Sequence, residues 1–449
     1  MDLNNKIKEY VDLALKSNQV SPEYYNNYNV KRGLRNADGT GVLVGLTKIG
    51  DVHGYIVDEN EKVPVKGRLR YRGIEIKDLT AGFQREGRFG FEETCFLILF
   101  GELPSKKQLQ EFEEFLGESR TLPDGFKEDI ILNTSSNNIM NKLARSVLAA
   151  YSFDEKAEDY SLQNVLFQCI QLIAWFPTIA TYAYQAKSHY FDGKSLFMHR
   201  PDTSLSTAEN ILRMLRPDSS YTKLEAEMLD LMLILHAEHG GGNNSAFTVR
   251  VISSAMTDTY SVISAAIGSL KGARHGGANL KVLQMMEDIS KNVDDVSDKE
   301  KLKEYLKKIL NKEAFDKSGL IYGMGHAVYT LSDPRAVVLK RKAHELAEVK
   351  GMTEEFKMYK NIEALSNDVF KEVKGVTTDI SANVDFYSGF VYTMLGIPSE
   401  MFTPLFAIAR IPGWCAHRLE EIVGGGKIMR PAYKSIVKGK PYISLEERE

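Results

Sequence analysis

Apolar side chains recur every three or four residues along most of the chain, which is the spacing that puts them on one face of an α-helix. One such stripe runs from Leu224 to Leu235, and another, backed by lysines, runs from Leu302 to Leu310. An earlier segment contains two helical patterns separated by a glycine-containing turn, and Ser105 is well placed to cap the second of them. The pattern therefore predicts a mainly helical chain.

Strand-like sequence is confined to the front of the chain. Residues 40–72 are rich in valine, glycine and turn-forming residues, which indicates two or three short strands. No internal repeat or low-complexity tract interrupts the helical pattern. The predicted fold is all-α, with a small β element near the N-terminus.

Composition narrows the possible functions. The 449 residues include 57 Lys and Arg against 60 Asp and Glu, a formal net charge of -3. This balance argues against a general nucleic-acid binder, so any anion site must be a local cluster of basic residues. Cys95, Cys169 and Cys415 are far apart and form no CxxC pair. We therefore expect buried reduced thiols and a cytoplasmic location.

Neither the start of the chain nor its most apolar segment indicates a membrane. The first ten residues, MDLNNKIKEY, lack the apolar centre of a signal peptide. The most apolar segment contains Gln168, Gln171 and Pro177, so a buried helix is a better interpretation than a membrane span.

The segment LHAEHGGGNNSAF places two histidines, His236 and His239, at the end of an apolar helical stripe. One interpretation is a helix C-terminus, where histidine suits the helix dipole and glycine ends the helix. A second is the floor of a ligand pocket. A metal site is weakly supported, because there is no HExxH pattern and no nearby group of carboxylates.

His275 is bracketed by glycines in the segment GARHGGAN. Asn279 is a candidate cap for the helix that follows. An imidazole just ahead of a helix N-terminus feels positive potential, which favours a neutral ring that can donate to a developing oxyanion. The alternative is a tight turn with an incidental histidine.

The segment GHAVYTLSDPRA contains His326, followed by a helix start. Asp333 and Pro334 are typical of an N-cap and first helical residue, and the helix should end at Gly351. Arg335 then lies in the first turn, where the dipole disfavours a cation, so we expect an anion beside it. A solvated surface arginine is the alternative.

Three further charged residues stand out towards the C-terminus. Asp385 opens an apolar helix, where it can act as an N-cap or as a base poised by partial desolvation. Arg410 lies in the strongly apolar segment PLFAIARIPGW, and a buried guanidinium needs a partner. Arg430 lies in a tail rich in glycine and lysine.

Taken together, these segments resemble the citrate synthase family. The matching pieces occur in the family's order from about residue 70 onwards; they are YRGIEIKDL, FEETCFLILFGELP, HAEHGGGNNSAF, GARHGGAN, GHAVYTLSDPRA, VDFYSG and ARIPGWCAH. The resemblance implies an all-α homodimer with the active site shared between subunits. It further implies a large helical, dimer-forming domain of residues 1–277 and 390–449, and a smaller helical domain of residues 278–389 that closes over the substrates.

The resemblance also implies a reaction, the condensation of acetyl-CoA with oxaloacetate and hydrolysis of citryl-CoA to citrate and CoA in the tricarboxylic acid cycle. His275 then polarises the thioester carbonyl, Asp385 removes a methyl proton, and His326 polarises the ketone. The residues that match the oxaloacetate site are His239, His326, Arg335, Arg410 and, from the other subunit, Arg430. The implied chemistry needs neither a metal nor another cofactor.

One departure concerns coenzyme A. Relatives commonly carry a basic residue shortly after the histidine that matches His326, and this chain has Ala327 and Thr330 there. Arg274 and the lysines of the C-terminal tail are candidate substitutes for the CoA phosphate contacts.

Three other functions stay open at the level of sequence. A 2-methylcitrate synthase would use propionyl-CoA, and one methylene group changes discrimination by only about 1–3 kcal/mol. A metal-dependent hydrolase would use His236 and His239. A helical interaction scaffold would have no catalysis.

Overall fold

The computed structural model describes residues 3–36, 38–58, 61–326, 328–375 and 379–448. The chain divides into two compact units, Met1–Leu46 and Thr47–Glu449. The first unit contains helices α1 (Leu3–Asn18) and α2 (Pro22–Asn27) and a short 3-10 turn. All of the residues singled out above as candidate site residues lie in the second unit.

The second unit begins with a small antiparallel sheet. Its strands β1 (Gly50–Asp58), β2 (Glu61–Tyr71) and β3 (Ile74–Glu75) lie in the order β1-β2-β3. A shift of register between His53 and Tyr55 marks a bulge in β1. The predicted β element is confirmed, although pairing starts at Gly50 rather than near residue 40.

Helices form the rest of the second unit, so the predicted all-α class is confirmed. They are α3 (Ile76–Glu86), α4 (Phe91–Phe100), α5 (Lys106–Glu118), α6 (Ile139–Ala150), α7 (Leu162–Asp192), α8 (Thr207–Leu215), α9 (Lys223–His236), α10 (Asn244–Ser253), α11 (Thr259–Lys271), α12 (Ala278–Asn292), α13 (Lys299–Leu310), α14 (Pro334–Lys350), α15 (Thr353–Lys374), α16 (Val384–Met394) and α17 (Phe402–Val423).

Two long apolar helices, α7 and α17, pack against each other in the core. By length and composition α7 could cross a membrane, but 83% of its most apolar window is buried inside the protein. This agrees with the prediction of a buried helix. Trp414 on α17 is fully buried, and the thiols of Cys95, Cys169 and Cys415 are buried and free.

Local capping signals explain where several helices start. Ser105 forms a capping box at the start of α5, as predicted. Asp333 caps α14 with Pro334 in its first turn, and Gly351 ends that helix in the left-handed conformation, also as predicted. Asn279 was wrongly expected to cap α12: the helix starts one residue earlier, at Ala278, with Gly277 at the N-cap position.

The helices between residues 278 and 389 pack mainly among themselves. Contacts join α12 to α16, α13 to α15, and α14 to both α15 and α16. Helix α14 also touches α3, α9 and β2, so the group is continuous with the rest of the second unit. The division into a large domain and a smaller closing domain stays a prediction.

Candidate active site

Two histidines at the end of α9 lie in different surroundings. His236 is the last residue of the helix, and its Nδ1 lies 2.8 Å from the carbonyl oxygen of Met232. His239 lies three residues later, and its Nε2 is buried without a hydrogen-bond partner within the described ranges. Burial lowers the pKa of His236 to about 3 and the pKa of His239 well below its usual value, so both rings are neutral. His236 is therefore held by its own helix, whereas His239 keeps a free ring nitrogen.

The tautomer of His326 is fixed by the backbone that follows it. Its Nδ1 accepts hydrogen bonds from the amides of Val328 at 3.0 Å and Tyr329 at 3.2 Å. A ring nitrogen that accepts carries no proton, so in the neutral ring Nε2 carries it. His326 is therefore built as a donor from Nε2.

The β1–β2 hairpin supports this part of the chain. A Cβ at Gly54 would stand 2.4 Å from the carbonyl oxygen of Val328, and one at Gly67 would stand 2.0 Å from that of Ser332. Two glycines thus allow the hairpin to lie directly against the segment whose amides hold His326.

Three rings meet at the predicted keto-acid site. The ring centroids of His239 and His326 are 5.1 Å apart, with the planes at 70°. Tyr329 stacks on His326 at 4.7 Å and meets His239 edge-on at 5.6 Å. The two histidines, 87 residues apart in the sequence, are therefore neighbours in the fold, as the resemblance implied.

Arg335 is buried and bound to the carboxylate that caps its own helix. Its Nε donates to Asp333 Oδ1 at 3.0 Å and one Nη donates to Asp333 Oδ2 at 2.7 Å. The expected anion beside Arg335 is thus supplied by the protein, two residues earlier. Asp333 also accepts from the amide of Val384 at 3.2 Å, which ties α14 to the start of α16. Arg335 is not a solvated surface residue, and one edge of its guanidinium is already occupied.

Arg410 contrasts with Arg335. Its Nε donates to the carbonyl oxygen of His236 at 2.6 Å, while Nη1 and Nη2 are buried and have no hydrogen-bond partner among the residues that the structure describes. Burial lowers the pKa of Arg410 to about 10, so the group stays charged near neutral pH. A buried charge with two unused donors facing one way is suited to bind a carboxylate.

Asp385 lies in the first turn of α16 and does not cap that helix. The N-cap is Asn383, whose side chain accepts from the Asp385 amide at 3.0 Å. Burial raises the pKa of Asp385 to about 6, against the opposing effects of Arg335 and Arg410. The carboxylate is thus poised near neutral pH, as the desolvation argument predicted.

His275 lies in the turn before α12, half-buried. Its Nε2 is 3.2 Å from the hydroxyl oxygen of Ser245, which also accepts from the indole of Trp414 at 3.0 Å. Burial, with a smaller effect from Arg410, lowers the pKa of His275 to about 4. The prediction of a neutral ring is confirmed, with burial as its largest cause.

The charge of Arg410 connects these groups. It affects the pKa of His239, His275 and Asp385, which come from three separate segments. Together with the ring contact between His239 and His326, this groups His239, His275, His326 and Asp385 with Arg410, and the site that these five residues form is called the cleft below. Neutral donors, a poised carboxylate and a free guanidinium can together stabilise a carbanion formed next to an anionic partner.

Two predicted residues lie elsewhere. Arg274 is exposed on the turn before His275, and Arg430 is exposed in the extended segment after α17. Thr330 is half-buried, and Ala327 lies outside the described residues. The position of each arginine in its own chain therefore does not test its predicted role.

Sequence reasoning missed several residues of this site. Ser245 and Tyr329 touch the predicted histidines, and Glu238 lies buried between His236 and His239 in the sequence. The signal for Glu238 was present, because a carboxylate that follows an apolar helix is costly to bury without a role. Across the described part of the chain, no group of three or more His, Cys, Asp or Glu is arranged to hold a metal ion.

Comparison with known proteins gives a consistent result. A family model described as citrate synthase, C-terminal domain, matches residues 37–432. The citrate synthase of Corynebacterium glutamicum is 35% identical over 395 residues, which are 85% of this chain and 83% of that protein. The structure of citrate synthase from Pyrobaculum aerophilum matches with a TM-score of 0.73 at 30% identity, covering 91% of this chain and 94% of that one.

A second similar structure is that of the citrate synthase from Thermoplasma acidophilum, a ternary complex with carboxymethyl coenzyme A and oxaloacetate. Its TM-score is 0.76 at 24% identity, and the match covers 93% of this chain and 99% of that one. The fold and the relatives define the class of protein as an all-α enzyme that transfers acyl groups. Within that class, the chain belongs to the citrate synthase family.

Proposed function

We propose that this protein condenses acetyl-CoA with oxaloacetate and hydrolyses the resulting citryl-CoA to citrate and CoA. The observation that carries the proposal is that the two buried Nη atoms of Arg410 and the buried Nε2 of His239 have no hydrogen-bond partner among the described residues, while the charge of Arg410 acts on His239. Buried donors left unpaired in a folded protein call for a partner, and a dicarboxylic keto acid supplies carboxylate and carbonyl oxygens.

Deprotonation of the acetyl methyl group needs two groups at once. A methyl beside a thioester is a far weaker acid than a carboxylic acid, so a base alone is insufficient. Asp385, with its raised pKa, takes the proton, and His275 donates a hydrogen bond to the thioester oxygen as the enol forms.

The tautomer of His275 depends on one hydroxyl proton. Ser245 has two acceptors in reach, Asn243 Oδ1 at 2.9 Å and His275 Nε2 at 3.2 Å. When the hydroxyl donates to His275, the ring proton lies on Nδ1, which then faces the substrate as a donor. A neutral imidazole is suited to this step because its pKa lies closer to that of an enol than the pKa of an imidazolium.

The second half of the condensation uses the other histidine. His326 donates from Nε2 to the ketone oxygen of oxaloacetate and stabilises the alkoxide that forms when the enol attacks. Arg410, His239 and the remaining donors of Arg335 hold the carboxylates and so orient the ketone. Water then cleaves the citryl thioester.

The wider setting is also part of the proposal. The enzyme acts as a homodimer in the cytoplasm, within the tricarboxylic acid cycle, and Arg430 reaches the oxaloacetate of the partner subunit's site. The exposure of Arg430 and the three buried free thiols support this assignment. Two neutral histidines and the arginines supply the electrophilic assistance, so no metal or other resident cofactor is required. Arg274 is proposed to contact the CoA phosphates.

The decisive measurement is release of free thiol from acetyl-CoA with and without oxaloacetate. We expect release only when both substrates are present, and full activity in the presence of a chelator. Release without oxaloacetate, or loss of activity on chelation, would contradict the proposal. Equal turnover with propionyl-CoA and acetyl-CoA at matched concentrations would favour the 2-methylcitrate reaction instead.

A further inference from the structure

A buried carboxylate that the proposed mechanism does not use lies directly behind Arg410. Glu238 has 0% exposure. Its Oε1 accepts from the amide of Gly240 at 2.5 Å and from His417 Nε2 at 3.0 Å. Among the described side chains and backbone, its second oxygen, Oε2, has no hydrogen-bond partner. An ionised carboxylate in this position needs an electrostatic explanation.

Arg410 is a cation whose charge acts on Glu238, and Gly413 leaves room between the two side chains. A Cβ built on Gly413 would stand 2.5 Å from Glu238 Oε2 and 3.5 Å from Arg410 Cδ. The free carboxylate oxygen therefore lies beside the stem of Arg410, at a point that any side chain at position 413 would fill. Glu238 is also the first among the groups that oppose the burial-induced drop in the pKa of Arg410.

The two charges are close, yet they do not pair directly. Within the described ranges, both Nη atoms of Arg410 and the Oε2 of Glu238 lack hydrogen-bond partners. A direct ion pair would occupy the guanidinium and leave fewer donors for a substrate carboxylate. The arrangement supplies a counter-charge and keeps the donors free.

A second layer prevents Glu238 from turning towards Arg410. Arg250 donates to His417 Nδ1 at 2.8 Å, so the neutral ring carries its proton on Nε2 and donates it to Glu238. Arg250 is itself paired with Glu420 and Glu421. The carboxylate is thus held through its other oxygen, Oε1, by a residue that is itself held by Arg250.

We propose that Glu238 is a positioning residue that balances the buried charge of Arg410 without consuming its hydrogen-bond donors. This inference rests on the proposed role of Arg410 in binding oxaloacetate. Because the fixed carboxylate and the incoming dianion share one cation, Glu238 limits the affinity for oxaloacetate. It also moderates the field that Arg410 exerts on the base Asp385.

The test is Glu238→Gln, which keeps the shape and removes the charge. We expect the dissociation constant for oxaloacetate, measured by calorimetry, to fall by about tenfold, because one nearby negative charge is lost. We expect KM for oxaloacetate and kcat to fall together, because an unbalanced Arg410 makes Asp385 a weaker base. A residue with only a structural role would weaken binding on removal.

Glu421→Gln is the matched control, since it removes a carboxylate from the same network at a greater remove from Arg410. It should leave both constants within about twofold of the parent. If Glu238→Gln does not fold, Glu238→Asp draws the carboxylate back from Arg410, and its affinity should rise by about two- to threefold. Unchanged or weaker binding in the folded variant would overturn the inference. A parent enzyme that does not bind oxaloacetate would instead refute the proposed function.

Discussion

Helix α17 carries two buried arginines that solve the same physical problem in opposite ways. Arg410 and Arg418 are each 1% exposed. Arg418 donates to Thr259 Oγ1 at 3.1 Å, to Ser253 Oγ at 3.3 Å and to the carbonyl oxygen of Thr257 at 2.8 Å. Arg410 makes one bond, to the carbonyl oxygen of His236, and its Nη atoms are unpartnered in the described structure.

The difference distinguishes a buried polar side chain that stabilises the fold from one that is available to a ligand. The free energy of burying a guanidinium is recovered in the fold at Arg418, because every branch of the side chain has a protein acceptor. At Arg410 most of this free energy is recovered only when a ligand binds. The half of α17 around Arg410 is therefore a place where stability is given up for binding, and the half around Arg418 is ordinary core.

The largest expected effect lies at the base on the Arg410 side. We expect Asp385→Asn to lower kcat by about 10³-fold, because the asparagine side chain cannot accept the methyl proton. Oxaloacetate binding should persist within a few-fold, since the donors of Arg410 and His239 are untouched. Steady-state kinetics and calorimetry on the same preparation measure the two quantities.

A variant of Asp385 that kept near-parental kcat would remove it from the mechanism. A variant that lost oxaloacetate binding as well would show that the carboxylate mainly holds the cleft together. Asp258→Asn is the control, because Asp258 is a buried carboxylate that caps α11 on the Arg418 side. It should lower stability and leave kcat unchanged.

The most direct way to break the comparison is to replace each arginine by methionine. Arg410→Met should raise KM for oxaloacetate by about 10²-fold and lower the unfolding free energy by less than Arg418→Met does, because it breaks one hydrogen bond and takes a counter-charge from Glu238. Arg418→Met should leave KM unchanged and destabilise the fold by roughly 3 kcal/mol, because three acceptors lose their donor. Chemical denaturation and initial-rate kinetics give both numbers.

Two outcomes would contradict this pairing of effects. If Arg418→Met raised KM as much as Arg410→Met, the two halves of α17 would not be functionally distinct. If Arg410→Met destabilised the protein more than Arg418→Met, the half of α17 around Arg410 would contribute to stability as much as the half around Arg418.

Helix ends could be predicted from the sequence more easily than the meeting of the site residues. The cap at Asp333 and the helix end at Gly351 depend on neighbours within a few residues, so they could be predicted locally. The cleft residues His275, His326 and Asp385 came from the order of motifs. Their convergence depends on contacts between segments far apart in the chain, which periodicity does not encode.

Failures in prediction arose where a partner was distant or unexpected. The sequence predicts an anion beside Arg335 without naming it, and in the fold this anion is Asp333, the residue that caps the same helix. Asp385 was offered as an N-cap, a position that Asn383 holds. Glu238 passed unnoticed because its partner His417 comes 179 residues later. Helix ends could therefore be predicted from neighbouring residues, whereas charged partners from distant segments could be identified only in the fold.

The raised pKa of Asp385 predicts that the unfolding free energy depends on pH. Its usual value is 3.8, and burial raises it to about 6. Between these values the unfolded chain has released the proton while the folded protein retains it, so stability falls as pH rises, and the penalty levels off about one pH unit above the folded pKa. Asp385→Asn removes the charge. Its unfolding free energy should exceed that of the parent by about 3 kcal/mol at pH 7.5, and by less than about 1 kcal/mol near pH 4.

Denaturation of parent and Asp385→Asn at several pH values checks this sign. A gain that was constant from pH 4 to pH 7.5 would mean that packing, rather than charge, explains it. The matched measurement on Asp258→Asn should show no such gain at high pH, because Asp258 accepts from the backbone amide of Ser261 and gives stability to the folded state.

The smallest expected effect comes from removing one of the three hydrogen-bond acceptors of Arg418. Ser253→Ala removes the acceptor at 3.3 Å from its Nη1, the longest of its three bonds. We expect a loss of about 1 kcal/mol in unfolding free energy and no change in kcat or KM, since the remaining two acceptors keep the guanidinium in place. A measurable rise in KM would mean that strain at Arg418 is transmitted along α17 to Arg410. The helix would then couple its structural half to its binding half, and the two arginines could not be treated as independent.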